Sequence, residues 1–224
     1  EEAGLRDLGG RVSVGQIGGG CAHGSIVPAD GSQCGSVGTN PPGSATMDIA
    51  VNLVETYLRL TGYLTLSEFE VQRRDADGEF RTVTDVDIMA MRLPHARRLI
   101  PGRGPKRGAK HTVFEPDPEL RPTDERVDLL IGEVKEGHAV LNEGAKEPEV
   151  LRSAVTRFGG KASGNVDTVV KALIRQGEAV VPDGPRVRVV AFGSHGAPRK
   201  SYHVITLGHI LEFFHEAIQE HWDI

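Results

Sequence analysis

The chain has 224 residues, 25% of them charged and 38% hydrophobic, which is room for one well-packed core and short for two. With 26 Lys+Arg against 31 Asp+Glu and a formal net charge of -5, the composition excludes coiled-coil, collagen-like and mucin-like chains, and a protein that coats nucleic acid through bulk charge. No stretch reaches the roughly 20 apolar residues of a bilayer-spanning helix, and the amino terminus lacks a basic segment leading into an apolar run, so a cytoplasmic location with no membrane partner is expected.

Residues 1–46 hold 12 of the 28 glycines, both cysteines and no Phe, Trp or Tyr. So little apolar surface cannot offset the backbone entropy lost on ordering, and a flexible Gly-rich leader is expected, with Met47 as the natural start. Cys21 and Cys34 have no second Cys/His pair at zinc-site spacing and read as stray thiols. The run Gly15 to Gly20 lacks both the preceding apolar strand and the Lys-Ser/Thr of a P-loop.

From Met47 the pattern sharpens. Ile49, Ala50, Leu53, Val54, Tyr57, Leu58 and Leu60 form a helical stripe that Thr61-Gly62 ends. Tyr63 to Gln72 and Phe80 to Arg92 read as strands joined by the turn Asp75-Ala76-Asp77-Gly78. Leu93 to Arg126 carries six prolines and several glycines, too broken for a long regular element. Val127 to Val134 reads as a buried strand. A helix is expected from Pro148 to Phe158 with Gly159 as its stop, and a second between the cap Asn165 and Gly177. Strands follow at Arg186 to Phe192 and Tyr202 to Thr206, then a last amphipathic helix carrying Ile210, Leu211, Phe213, Phe214, Ala217 and Ile218. The expected order is α-β-β-β-α-α-β-β-α, an α/β fold with a central mixed sheet flanked by helices.

Two strands carry the chemistry-bearing residues: Thr84-Asp85-Val86-Asp87-Ile88-Met89-Ala90 and Leu130-Ile131-Gly132-Glu133-Val134-Lys135. Side chains alternate along a strand, so Glu133 and Lys135 share a face about 6.5 to 7 Å apart, and Asp85 and Asp87 share another. If the strands are neighbours, carboxylates from both and one amine converge at a single sheet edge. Two carboxylates suit a hard divalent cation such as Mg²⁺, and an adjacent ammonium can orient water or stabilise charge growing on phosphorus. Pairing Asp128 with Glu133 instead is disfavoured, because an offset of five puts them on opposite faces.

An Asp followed by two apolar residues and a small one, then a Glu-x-Lys strand, resembles the signature of the PD-(D/E)XK nuclease superfamily of restriction-endonuclease-like and Holliday-junction-resolvase-like proteins. Asp87-Ile88-Met89-Ala90 and Glu133-Val134-Lys135 carry the resemblance, which runs from about Met47 to Phe192. Val86 stands in place of the motif's Pro, and Leu93 to Arg126 is an insertion. The resemblance implies a restriction-endonuclease-like core (αβββαβ), with Asp87, Glu133 and the Val134 carbonyl as Mg²⁺ ligands and Lys135 assisting the attacking water. Mn²⁺ is expected to substitute. Many members add a helix glutamate near the metal, and Glu55, the one acidic residue inside the first helix, is the candidate. Asp85 matches a position often acidic in the resolvase-like branch.

The insertion, at about 93–126, also holds Arg97, Arg98, Arg103, Lys106, Arg107 and Lys110 with no acid between them, a basic patch suited to nucleic-acid phosphates. His215 and His221 are six apart, not the four of a zinc-protease helix, and Ser194-His195 forms no nucleophile elbow. The expectation is therefore a metal-dependent nuclease acting on phosphodiester bonds, more specifically in DNA, through Mg-activated water. The alternative is a catalytically silent nuclease-like module that binds nucleic acid or serves assembly. Its small size makes a homodimer or larger complex a further expectation, with the last helix as the candidate surface.

Overall fold

The computed structural model describes residues 48–100, 112–159, 165–197, 199 and 201–221, which fall within the unit Ala45–Ile224. The expected leader with Cys21 and Cys34, the loop cations Arg103, Lys106, Arg107 and Lys110, and Trp222 lie outside the described residues.

Helix α1 (Ile49–Leu60) starts where Asp48 accepts hydrogen bonds from the N–H groups of Ala50 and Val51. Its stripe buries Ala50, Val51, Val54, Tyr57 and Leu58, and it stops before Gly62, whose φ of 92° an L side chain rarely adopts. Strands β1 (Leu64–Arg74) and β2 (Phe80–Arg92) then form an antiparallel hairpin. The insertion is less irregular than its composition suggests. It carries the small hairpin of β3 (Arg98–Ile100) and β4 (Thr112–Phe114), then a single 3₁₀ turn at Pro118–Leu120.

After β5 (Asp128–His138) come α2 (Pro148–Arg157) and α3 (Val166–Gln176), then β6 (Glu178–Val180), β7 (Arg186–His195), β8 (His203–Thr206) and α4 (Leu207–His221). The sheet order is β1-β2-β5-β7-β6, with β8 also on β7. The β1-β2, β2-β5 and β6-β7 pairs are antiparallel, whereas β5-β7 and β7-β8 are parallel. The sheet is therefore mixed, and α2 and α3 form the crossover that a parallel neighbour requires. Alternation on β5 divides the core. Leu129 and Ile131 pack with α2 and α3, while Leu130 and Val134 pack with α1 and α4 on the other face. No described helix is long and apolar enough to cross a membrane.

The insertion docks on this scaffold. Leu120 is fully buried, and Asp117 accepts from Tyr57 Oη at 2.7 Å and lies 2.6 Å from His209 Nε2. Burial, followed by the Asp117 contact, pushes the Tyr57 hydroxyl far above the usual phenol range. Phe213, on α4, meets Tyr57 and Phe114 edge to face at centroid separations of 5.4 and 5.6 Å. That pair of contacts makes it part of the packing between α4, α1 and the insertion.

Arg92, wholly buried at the end of β2, places Nη2 2.7 Å from Asp124, which also receives Arg97 Nη2 at 2.7 Å. Arg97 and then Arg92 hold the Asp124 carboxyl far below the ordinary carboxylate range. A depressed folded-state pKa adds stability that is complete above the unfolded value of about 4 and is lost as pH falls through the folded value. Asp124→Asn is therefore expected to flatten the acid limb of the stability curve below about pH 4, measured by urea melts from neutral pH downward.

Candidate metal centre

Strands β2 and β5 are neighbours although Asp87 and Glu133 are 46 positions apart in sequence. Their ladder ends at the pair Ile88–Gly132, so Asp87 and Glu133 face each other one step beyond it, continuing the row of Met89 and Ile131. Past the last pair, the Val134 N–H no longer meets a β2 carbonyl. Asp87 Oδ2 accepts its hydrogen bond instead, at 2.7 Å. A residue's N–H and C=O point to the same edge of a strand, so the Val134 carbonyl lies on the Asp87 side as well.

Gly132 is what lets the strands close here, since a Cβ at that position would lie 2.5 Å from Ile88 Cγ2. Across β2 on its other side, the pairs Ser67–Ile88 and Phe69–Val86 bracket Glu68, which has a φ of 53°. Regular pairing is thus interrupted on both flanks of Asp87.

Glu133 is 2% exposed. Its Oε1 lies 2.5 Å from Lys135 Nζ and accepts from Asn142 Nδ2 at 2.7 Å. Asn142 arrives because the chain after β5 folds back, fixed by the Ala139 N–H bond to the His195 carbonyl and by Ala145 N–H on Asn142 Oδ1. Each carboxylate therefore uses one oxygen within the protein. Asp87 Oδ1 and Glu133 Oε2 receive no hydrogen bond from the described residues.

Burial raises the Asp87 pKa, with the Val134 N–H and the Lys135 charge opposing it and Asp48 and Asp85 adding to it. Burial also raises Glu133; the Lys135 hydrogen bond opposes this and Asp87 reinforces it. Burial works to lower the Lys135 pKa, but the hydrogen bond and charge of Glu133, then Asp87 and Asp48, outweigh it and the net shift is upward. Lys135 is thus a protonated cation at neutral pH, suited to stabilising negative charge and not to accepting a proton. Against it stand several carboxylates, an imbalance that a divalent cation at the two open oxygens offsets.

Among the described residues no group of three or more His, Cys, Asp or Glu side chains forms a ready-made metal cage. The donor set here is sparser: two carboxylate oxygens and a backbone carbonyl. Such a set fits Mg²⁺, which keeps several of its waters, better than it fits Ca²⁺ or Zn²⁺.

The other sequence candidates are distributed as follows. Glu55 Oε1 is held by Arg59 Nη2 at 2.6 Å and Thr65 Oγ1 at 2.9 Å. Thr65 pairs with Ala90, three residues along β2 from Asp87, or about 10 Å. Glu55 Oε1 is thus held at the start of β1, and the acid at the head of α1 whose charge acts on both Asp87 and Lys135 is the cap, Asp48. Asp85 is exposed and adds negative charge at Asp87. Asp128 sits at the opposite end of β5, ion-paired with Arg188 at 2.9 Å. Beyond those candidates, His138 at the end of β5 is exposed, its ring 5.6 Å from that of His195. Arg97 is occupied by Asp124 and Glu115, whereas Arg98 is exposed.

Sequence reading missed Asp48 and Asn142. A signal existed for each: Asp48 is a capping residue at the head of the helix that precedes the hairpin, and Asn142 lies in a turn-forming run just after the Glu-x-Lys strand. Comparison of the chain with protein-family models, curated proteins and solved structures finds no match.

Proposed function

We propose that this protein is a metal-dependent nuclease of the PD-(D/E)XK type that hydrolyses phosphodiester bonds in DNA. The carrying observation is the facing pair Asp87 and Glu133, each with one open oxygen, beside the protonated Lys135. The order α1, β1, β2, β5, the α2-α3 crossover and β7 supports the reading, since it follows the αβββαβ core of that superfamily. Asp87, Glu133 and the Val134 carbonyl are the groups that would hold Mg²⁺ or Mn²⁺. The ion supplies a Lewis acid at the phosphoryl oxygen and lowers the pKa of water. Lys135 contributes positive charge where the phosphorane charge grows, and Asn142 and Val134 keep the two carboxylates oriented.

One observation favours a silent binding module instead: Glu133 is buried and already neutralised by Lys135 at 2.5 Å. Incubation with plasmid, linear and single-stranded DNA in Mg²⁺, Mn²⁺ or EDTA separates the two. Cutting that needs metal supports the enzyme, and binding without cutting supports the module. Asp48→Asn refines the test, because Asn caps a helix as well as Asp does while carrying no charge. The variant is expected to raise the Mg²⁺ concentration for half-maximal cleavage by roughly two- to fivefold, the size of one partly screened charge, with unchanged helicity by circular dichroism.

A further inference from the structure

A second site of chemical interest lies at the opposite end of the sheet, where β7 changes partner. Along one edge β7 pairs with β6 through Arg186–Arg188 and then with β8 from Val190 onward. Between these two ladders the Val189 N–H bonds to the Gly177 carbonyl at 2.8 Å, and Gly177 packs so closely on Ser201 and Tyr202 that a Cβ would lie 2.3 Å from the Ser201 carbonyl oxygen. The split leaves a cavity of about 170 Å³ bordered by Arg121, Arg186, Arg188 and Arg199. About 10–15 Å³ suffices for one water, so the space accepts a polyatomic ion.

The charge and the hydrogen-bond inventory of the cavity agree. Four arginines and two glutamates, Glu119 and Glu178, line it. Glu178 is bound by Arg186 Nη2 at 2.8 Å, and Arg188 is bound by Asp128 behind the wall, so both inner arginines are anchored. Arg121 and Arg199, at the exposed rim, make no ion pair with another described residue. Two donors on the inner arginines are buried without an acceptor: Arg186 Nε and Arg188 Nη1. Arg188 itself is 2% exposed. These buried nitrogens add positive charge behind the wall, and the guanidinium groups accessible to an anion are those of the exposed rim arginines Arg121 and Arg199. The cationic field also acts on neighbouring groups, since after burial it is Arg121 and Arg188 that press the His203 pKa down.

The geometry points to a binding site for a phosphate-class oxyanion between β6 and β8, independent of the carboxylate site. Guanidinium forks match the tetrahedral oxygens of phosphate, and anchored arginines lose little freedom on binding it. The ion is either free phosphate or a terminal phosphate carried on a nucleotide chain, and the experiment separates these sources.

The test uses the full chain in chloride buffer, titrated calorimetrically with inorganic phosphate. Wild type is compared with the rim variant Arg121→Gln/Arg199→Gln, which leaves the buried pairs untouched. Phosphate binding that weakens at least tenfold in the rim variant, with an unchanged melting temperature in chloride, is the expected result. Phosphate that binds no better than chloride, or equally well to both proteins, overturns the assignment. A 5′-phosphorylated oligonucleotide is then competed against the same oligonucleotide with a 5′-hydroxyl. Displacement of phosphate by the phosphorylated form alone identifies the source as a nucleic-acid end, and displacement by neither identifies it as the free ion. Displacement by both places the bound phosphate on a general nucleic-acid surface and overturns the assignment. Asp87→Asn is expected to retain phosphate binding whether or not the nuclease reading stands.

Discussion

Asp87→Asn, Glu133→Gln and Lys135→Met are each expected to lower metal-dependent DNA cleavage by at least about a hundredfold, the scale of removing one preorganised charged group from a reaction that develops negative charge. The three should differ in everything except that loss. In Asp87→Asn the amide oxygen can still accept the Val134 N–H, and a buried charge is removed, so the melting temperature is expected to hold or rise. In Glu133→Gln the ammonium of Lys135 loses the partner at 2.5 Å that holds its pKa up. Its titration, followed by NMR of the labelled lysine, should move downward. Lys135→Met leaves Glu133 buried with Asn142 as its remaining donor, and the carboxyl pKa should climb further. Gel assays read the cleavage. Any one variant that cuts at the wild-type rate removes its residue from the proposed chemistry, and uniform retention of cutting in all three overturns the nuclease reading.

The parts of this arrangement that local pattern controls were legible in the sequence. The helical stripe of α1, the Asp75 to Gly78 turn, the caps Asn165 and Gly177, and the Glu133–Lys135 face all follow from periods of 3.6 and 2 and from turn chemistry. Strands β3, β4 and β6 were not legible, because three residues carry too little alternation to register against Pro and Gly neighbours. The site was legible in its residues and not in its closure. The turn at Asn142 and the cap at Asp48 each had a local signal, but that the turn returns to Glu133 and that the cap stands near Lys135 are tertiary facts no local pattern carries. Glu55 illustrates the converse. It lies in the helix interior, yet Arg59 one turn away and Thr65 at the start of β1 capture it first. Helix neighbours four apart always compete for such a side chain, and a search for metal ligands has to subtract them.

Asp128→Asn is expected to destabilise the fold by about 3–5 kcal/mol, because it leaves the buried Arg188 guanidinium without its counter-charge. Asp128 is 0% exposed and Arg188 2%, and they meet through two bonds of 3.1 and 2.9 Å. Tyr63 completes the cluster by donating to Asp128 Oδ2 at 2.5 Å while accepting from Arg188 Nη2 at 2.9 Å. Burial drives the Tyr63 hydroxyl far above the usual phenol range, so it is a neutral donor at neutral pH. For a domain of this size the loss corresponds to a fall in melting temperature on the order of 10 °C, read by calorimetry. Tyr63→Phe removes one donor and keeps both charges paired, so its cost should be smaller, about 1–2 kcal/mol. Removing both charges together, in Asp128→Leu/Arg188→Met, should restore most of the stability lost in Asp128→Asn, because desolvation of the pair offsets much of its attraction. That double variant also removes Arg188 from the wall of the arginine-lined cavity. A protein that regains its melting temperature but no longer takes up phosphate would separate the two roles of Arg188: the ion pair with Asp128 stabilises the fold, and its positive charge adds to the wall of the cavity.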